Sequence, residues 1–331
     1  MSEPHDKTPA PGDVRKDDSG LGAETTAAAV PPEAIRAIPV RHYGRWISAA
    51  CVLVLLGLLG VAFANAQIQW STVPRYLDYP TILKGAGNTL LITVLAMLLG
   101  VVLGTLLAVM RLSKNPVMSA VAWAYIWFFR GTPVLVQLLL WYNLSLVFPV
   151  LDLGPLYKDE MQDVMTPFLA ALLGLGLNEA AYMAEISRAG ILSVDQGQTE
   201  AAQALGMSSA RTMRRIILPQ AMRVIVPPTG NEFINMLKTS SLAFAIQFQE
   251  LLKAAQSIYS RNLAVMELLM VVTVWYLVLT TAFSIVQYYI ERYFQRGSVR
   301  DLPPTPWQRV KANLMTFRRT SGVPTTGART R

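Results

Sequence analysis

Three long runs without a charged side chain constrain this 331-residue chain more than any other feature. They cover residues 47–66, 89–110 and 268–290. A helix needs about 20 consecutive apolar residues to cross a hydrocarbon core about 30 Å thick, and each run reaches that length. Backbone groups inside a bilayer must find partners within the protein, which favours helices. The runs therefore predict a helical protein that crosses the membrane several times.

Three further segments complete the set of predicted crossings. Two of them are apolar with a few embedded charges, and the third is shorter and uncharged. The composition agrees, because only 15% of the residues are charged whereas a soluble domain carries about 25%. We therefore predict an all-α polytopic membrane protein with about six transmembrane helices. The predicted spans cover residues 46–66, 88–110, 132–149, 167–191, 219–246 and 266–290.

The net charge of +8 reflects orientation in the membrane rather than a nucleic-acid partner. Six basic residues precede residue 47 and nine follow residue 291, whereas the loop 151–166 is acidic. Basic residues concentrate on the cytoplasmic side of membrane proteins. With six crossings, this distribution predicts that both termini are cytoplasmic.

The two ends of the chain differ in composition from the predicted membrane region. Residues 1–40 are rich in Pro, Ala, Thr, Asp and Lys, which predicts a disordered cytoplasmic extension. Residues 46–66 follow as a retained first transmembrane helix. Residues 297–331 form a predicted basic cytoplasmic tail that could touch anionic lipid.

The sequence lacks the residues that disulfides, metal sites, catalytic triads and ATP binding require. The chain has one cysteine, Cys51, and two histidines, His5 and His42, so we predict no disulfide, no metal site and no catalytic triad. The phosphate-binding pattern G-x-x-x-x-G-K-[ST] is absent from the sequence, so another chain would have to bind any ATP that is used. A membrane-embedded enzyme is therefore disfavoured.

One polar, well-patterned stretch, residues 195–219, separates two apolar segments. Asp195 is positioned to cap a helix over 196–205, and Gly206 can adopt the left-handed conformation that closes a helix. A second helix is predicted over 210–218, ending at Pro219. Two short helices at an angle on the cytoplasmic side would offer a surface to a partner protein.

The residues of this stretch carry a family resemblance. Its spacing resembles the EAA loop of the permease subunits of bacterial ABC importers. The flanking sequences NEAAYMAEISRAGILSVDQGQ and RGTPVLVQLLLWY resemble the polar amino acid branch, with its histidine-, glutamine-, glutamate- and arginine-type permeases. The residues that carry the loop motif are Glu200, Ala201, Ala202, Leu205, Gly206, Ile216, Leu218 and Pro219.

The resemblance implies a type I ABC importer permease fold over residues 77–296, with 195–219 as the coupling loop. It also implies a second permease subunit, either this chain or a paralogue, and two cytoplasmic ABC ATPases that bind ATP-Mg, so that this chain binds no cofactor. An extracytoplasmic binding protein would deliver an amino acid, and the location would be the bacterial inner membrane. The usual subunit of the branch has five spans, and residues 46–66 add one.

Charged and amide side chains inside the predicted spans are the candidate substrate path, because ionised groups in a bilayer are costly. One hypothesis is that these groups bind the ammonium and carboxylate of an amino acid. The other is that they pair across helices, as Glu179 with Lys238. The candidates are Asn178, Glu179, Glu185, Asn231, Glu232 and Lys238.

Two questions stay open from the sequence. The alternative to an importer permease is an ion-driven secondary transporter or a channel for small polar solutes, although such transporters often contain internal repeats and this sequence shows none. Two carboxylates and a lysine are compatible with acidic, basic or amide side chains, so the transported amino acid is not determined.

Overall fold

A computed structural model of the chain describes residues 43–66, 68–152, 154–155 and 157–294. The predicted extensions 1–40 and 297–331 lie outside the described residues. The chain divides into two units, residues 1–66 and residues 67–331. The first unit contains one described helix, α1 (Tyr43–Ala64), whose apolar part Ile47–Ala64 is long enough to cross a membrane.

The second unit is almost entirely helical. Its first half, in chain order, contains α2 (Thr72–Leu77), α3 (Pro80–Arg111), α4 (Pro116–Gly131), α5 (Val134–Tyr142), a 3-10 turn (Leu144–Leu146), β1 (Val150–Asp152), β2 (Lys158–Glu160) and α6 (Met161–Val164). Its second half contains α7 (Pro167–Leu192), α8 (Gln196–Ala204), α9 (Ser209–Thr212), a π-helical segment (Met213–Ile217), α10 (Leu218–Thr239), a 3-10 segment (Ser240–Ile246), α11 (Leu251–Asn262) and α12 (Val265–Phe294). The two strands form a small antiparallel hairpin.

Four of the described helices are long and apolar enough to cross a membrane: α1, α3, α7 and α12. Helices α4 and α5 make a fifth candidate together, as a pair bent by 101° that is either a broken span or a re-entrant loop. The predicted crossing over 132–149 is helical only over α5 and the short turn after it. A helix of 9 residues is about 14 Å long, so it cannot cross the bilayer by itself.

The predicted span 219–246 corresponds to α10 and the 3-10 segment that follows it. This helix is less apolar than the other predicted spans because it carries Arg223, Asn231, Glu232 and Lys238. Length and composition therefore do not identify it as a crossing, and the total of six stays a prediction.

Helices α3 and α7 form the centre of the second unit through close backbone packing. A methyl group added to Gly104 would lie 2.5 Å from Cβ of Met183, and one added to Gly100 would lie 2.6 Å from Cγ of Glu179. Two glycines four residues apart let helices approach closely in lipid. The contact places Glu179 of α7 deep between the two helices.

A buried carboxylate fixes the fold near the start of α11. Glu250 is fully buried and caps α11, where its side chain accepts hydrogen bonds from the backbone N–H groups of Leu252 at 2.8 Å and Lys253 at 2.6 Å. The hydroxyl of Tyr276 on α12 donates a third, at 3.1 Å. Burial raises the pKa of Glu250 to about 7. The three bonds hold the start of α11 and tie it to α12.

Candidate functional site

The first helix of the predicted coupling loop begins at Gln196, as the sequence indicated, and ends at Ala204, one residue before the predicted end. Asp195 accepts a hydrogen bond from the backbone N–H of Gly197 at 2.6 Å and so caps α8. Gly206 has a φ of +73°, and its N–H donates to the carbonyl of Gln203. The N–H of Met207 donates to the carbonyl of Ala202. These two bonds satisfy the last carbonyls of α8 and turn the chain sharply.

The second helix of the loop does not end at Pro219, so that part of the prediction is wrong. The chain passes from α9 through the π-helical segment directly into α10, with Pro219 in the first turn of α10. A proline inside a helix removes one hydrogen bond and its ring clashes with the preceding turn. The wider π turn just before Pro219 accommodates both effects, so the loop continues as one helix toward the membrane region.

The motif residues of the loop divide into an exposed and a buried set. Glu200, Ala201 and Pro219 are exposed, as are the apolar side chains of Leu205 and Leu218. These five side chains are therefore accessible to a partner protein.

Other motif residues are buried or half-buried against the rest of the chain. Ala202 is 1% exposed and lies on the inner side of α8, where it serves internal packing rather than a partner surface. Ile216 is half-buried, and its neighbour Ile217 is buried. Of the two alanines in the motif, only Ala201 is therefore available to a partner.

A cavity of about 770 Å³ lies between the bend that joins α4 to α5 and helices α7 and α10. It brings together four of the six predicted path residues. These are Asn178, Glu179, Glu232 and Lys238. The lining residues that sequence reasoning missed include Arg130, Thr132, Tyr182, Asn235 and Thr239.

The bend between α4 and α5 is held by amide side chains. Asn178 donates a hydrogen bond to the carbonyl of Phe129 at 2.8 Å and another to Oε1 of Gln137 at 3.2 Å. Gln137, which is 3% exposed, donates in turn to Oγ1 of Thr132 at 2.7 Å. Both bonds use Nδ2 of Asn178, so this end of the side chain holds the cavity wall, and Oδ1 is the atom that could accept a hydrogen bond from a ligand.

Glu179 is the group in the cavity that most needs a partner. It is 4% exposed, and its Oε1 has no hydrogen-bond partner in the described part of the chain. A buried charge without a partner is strongly destabilising, so such groups are normally paired. In the described part of the chain Glu179 forms no ion pair with Lys238, contrary to the second hypothesis, whereas Glu185 does pair with Arg188.

Cations and amides on neighbouring elements complete the cavity. The guanidinium of Arg130 lies 5.2 Å from the centre of the Tyr182 ring, which is a cation–π contact. On α10, Glu232 is followed by Asn235 and Thr239, three and seven residues later. This spacing places them on one helical face and is the sequence signal that could have identified them.

Two predicted path residues lie outside this cavity. Glu185 forms an ion pair with Arg188 at 2.7 Å and lines a separate cavity of about 550 Å³. Asn231 is exposed and does not line the main cavity. In the described ranges, no cluster of three His, Cys, Asp or Glu residues could hold a metal ion.

Comparisons with known proteins agree with the resemblance seen in the sequence. The family described as "binding-protein-dependent transport system inner membrane component" matches residues 100–296. The arginine transport system permease protein of Corynebacterium glutamicum is 48% identical over 86% of this chain and 90% of its own length. The glutamine transport system permease protein of Escherichia coli is 34% identical over 68% of this chain and 97% of its own.

Solved structures share the fold over about two thirds of this chain. A crystal structure of an amino acid ABC transporter with histidines aligns with a TM-score of 0.60 and 38% identity, over 69% of this chain and all of that one. An inward-facing methionine ABC transporter aligns with a TM-score of 0.54 over 65% of this chain and 97% of that one. At 20% identity, this second likeness shows the fold alone. The fold is that of a type I ABC importer permease, and the chain belongs to the family of binding-protein-dependent transport system inner membrane components.

Proposed function

We propose that this chain is a permease subunit of an ATP-driven amino acid importer and that the main cavity is part of its substrate path. The observation that carries the proposal is the buried carboxylate of Glu179, which lines the cavity with an unpartnered oxygen. Alternating access would move the amino acid, and the coupling loop would link that movement to ATP hydrolysis. The named arginine and glutamine transport relatives support an amino acid substrate.

A cationic amino acid suits the cavity best. Arg130 and Lys238 are available for the substrate carboxylate, and two carboxylates, Glu179 and Glu232, can receive its ammonium group and a cationic side chain. An acidic side chain would face those carboxylates and be repelled. The relative that is 48% identical is named for arginine, which agrees with this choice.

The proposal extends to the partners and to the orientation of the chain. Two cytoplasmic ATPases with ATP-Mg would dock on the loop around Glu200, beside a second permease subunit. An extracytoplasmic binding protein would deliver the substrate. The chain itself would perform no enzymatic reaction and would lie in the bacterial inner membrane with both termini in the cytoplasm. The family match does not support the ion-driven alternative.

Substrate-stimulated ATP hydrolysis tests this function. The purified permease–ATPase complex in liposomes is supplied with binding protein and each of the twenty amino acids in turn. We expect stimulation by arginine or lysine and its loss in Glu200→Ala and Gly206→Val, because valine is strained at a φ of +73°. Stimulation by acidic amino acids only would refute the substrate class. Full stimulation in both variants would refute the role of the loop.

A further inference from the structure

Helix α10 connects the coupling loop to the substrate cavity. It follows the π-helical segment directly, and it carries Glu232, Asn235 and Lys238 of the cavity near its other end. A displacement of the loop reaches these side chains through α10 only if the helix moves as a rigid rod. The stiffness of α10 between the two sites therefore matters for coupling.

Two consecutive prolines, Pro227 and Pro228, interrupt this rod between the loop and the cavity. Neither has a backbone N–H, so the carbonyls of Arg223 and Val224 lose their usual helical partners. An apolar cavity of about 600 Å³ borders the same stretch of α10 and extends to α3, α7 and α12. The helix thus has a weak point and free space into which it could bend.

The side chain of Gln287 on α12 contacts α10 at the two prolines. Gln287 is 8% exposed, and its Nε2 donates a hydrogen bond to the carbonyl of Pro227 at 2.8 Å. The amide sits where Gly230 has no side chain, since a Cβ at Gly230 would overlap the Gln287 amide. A buried polar group in a membrane helix is costly and marks a function. The missing Cβ and the hydrogen bond are separate observations that define the same contact.

We propose that Gln287 is a positioning residue that clamps α10 to α12 at the two prolines, so that movements of the coupling loop reach the cavity. This inference rests on the proposed ATP-driven import. Without the clamp, α10 would bend at Pro227 and Pro228, and ATP hydrolysis would proceed with less transport. The clamp acts through α10 and has no contact with the substrate cavity.

The ratio of arginine transported to ATP hydrolysed tests the clamp. It is measured with the complete complex in liposomes, saturated with binding protein and arginine. Gln287→Met keeps the approximate length of the side chain but removes the donor. We expect the ratio to fall about two- to thirteenfold, the equilibrium value of one typical hydrogen bond, while ATP hydrolysis continues. Thr280→Val is the matched control, because the Thr280 hydroxyl bonds within α12 itself and the ratio should not change.

A second variant keeps the test decisive if Gln287→Met assembles poorly. Gly230→Ala should displace the amide and lower the ratio similarly. Because both substitutions break one contact, the double variant should be no worse than either single variant. A wild-type ratio in both single variants would overturn the clamp. A wild-type complex that transports without hydrolysing ATP would instead overturn the proposed function, and the clamp with it.

Discussion

Replacing Glu179 with glutamine isolates the contribution of one buried carboxylate to substrate selection. Glu179→Gln keeps the size of the side chain, which matters because Glu179 packs against Gly100 with no space to spare. The substitution removes the negative charge from a group that is 4% exposed and has an unpartnered oxygen. A neutral amide can still accept a hydrogen bond from a cationic side chain but loses its charge assistance.

The expected loss of arginine affinity follows from the free energy of a hydrogen bond between Glu179 and a cationic side chain. Hydrogen bonds to charged groups contribute about 1.5–3 kcal/mol and neutral ones about 0.5–1.5 kcal/mol, so losing the difference of about 1–1.5 kcal/mol should lower arginine affinity roughly 5- to 13-fold. Affinity for glutamine, which lacks the cationic side chain, should fall much less. Binding of radiolabelled arginine and glutamine to the purified permease–ATPase complex, without binding protein, measures both.

A control and a refuting result define the test of Glu179. Asn231→Ala changes an exposed residue outside the main cavity and should leave both affinities unchanged. If Glu179→Gln binds arginine as tightly as the wild type, or weakens arginine and glutamine equally, the carboxylate does not recognise a cationic side chain.

Two further predictions concern packing and pH. Gly104→Ala should destabilise the assembled permease by about 1–3 kcal/mol, because the new methyl group would meet the backbone of α7. Gly87→Ala on the same helix is the control, because a methyl group there has open space. Thermal unfolding in detergent compares the two variants, and equal melting temperatures would contradict the close packing at Gly104. Burial raises the pKa of Glu250 from 4.5 to about 7, so the folded state favours the protonated side chain. The contribution of Glu250 to folding stability is therefore full below pH about 4.5 and is lost as pH rises through 7. The wild type should therefore unfold at lower temperature at pH 8 than at pH 5, and Glu250→Gln should reduce this difference; an unchanged difference would show that another group is responsible.

Local chemistry allowed much of the coupling loop to be predicted from sequence. Asp195 and Gly206 act through bonds to residues within a few positions, so their roles follow from short-range rules. The long apolar runs likewise predicted α1, α3 and α12, because length and hydropathy decide a membrane crossing.

The features that sequence reasoning missed depend on contacts between distant residues. The local sequence Arg-Gly-Thr-Pro indicates the bend between α4 and α5, but Asn178 and Gln137 are 41 positions apart, so the hydrogen bond that holds the bend could not be read from it. Ala202 belongs to the predicted loop motif but is buried within the chain, and its spacing in the motif does not reveal this. The continuation of the helix through Pro219 requires a π turn, and proline normally predicts an end.

ATP-dependent uptake of radiolabelled arginine into liposomes distinguishes an ATP-driven importer from an ion-driven carrier. The liposomes contain the complete complex, with ATP on the ATPase side and binding protein on the other, and ionophores collapse every ion gradient. We predict uptake that requires hydrolysable ATP, persists with ionophores and is abolished by Glu200→Ala. Uptake that proceeds without ATP and stops when the ion gradients collapse would contradict this prediction and identify an ion-driven carrier.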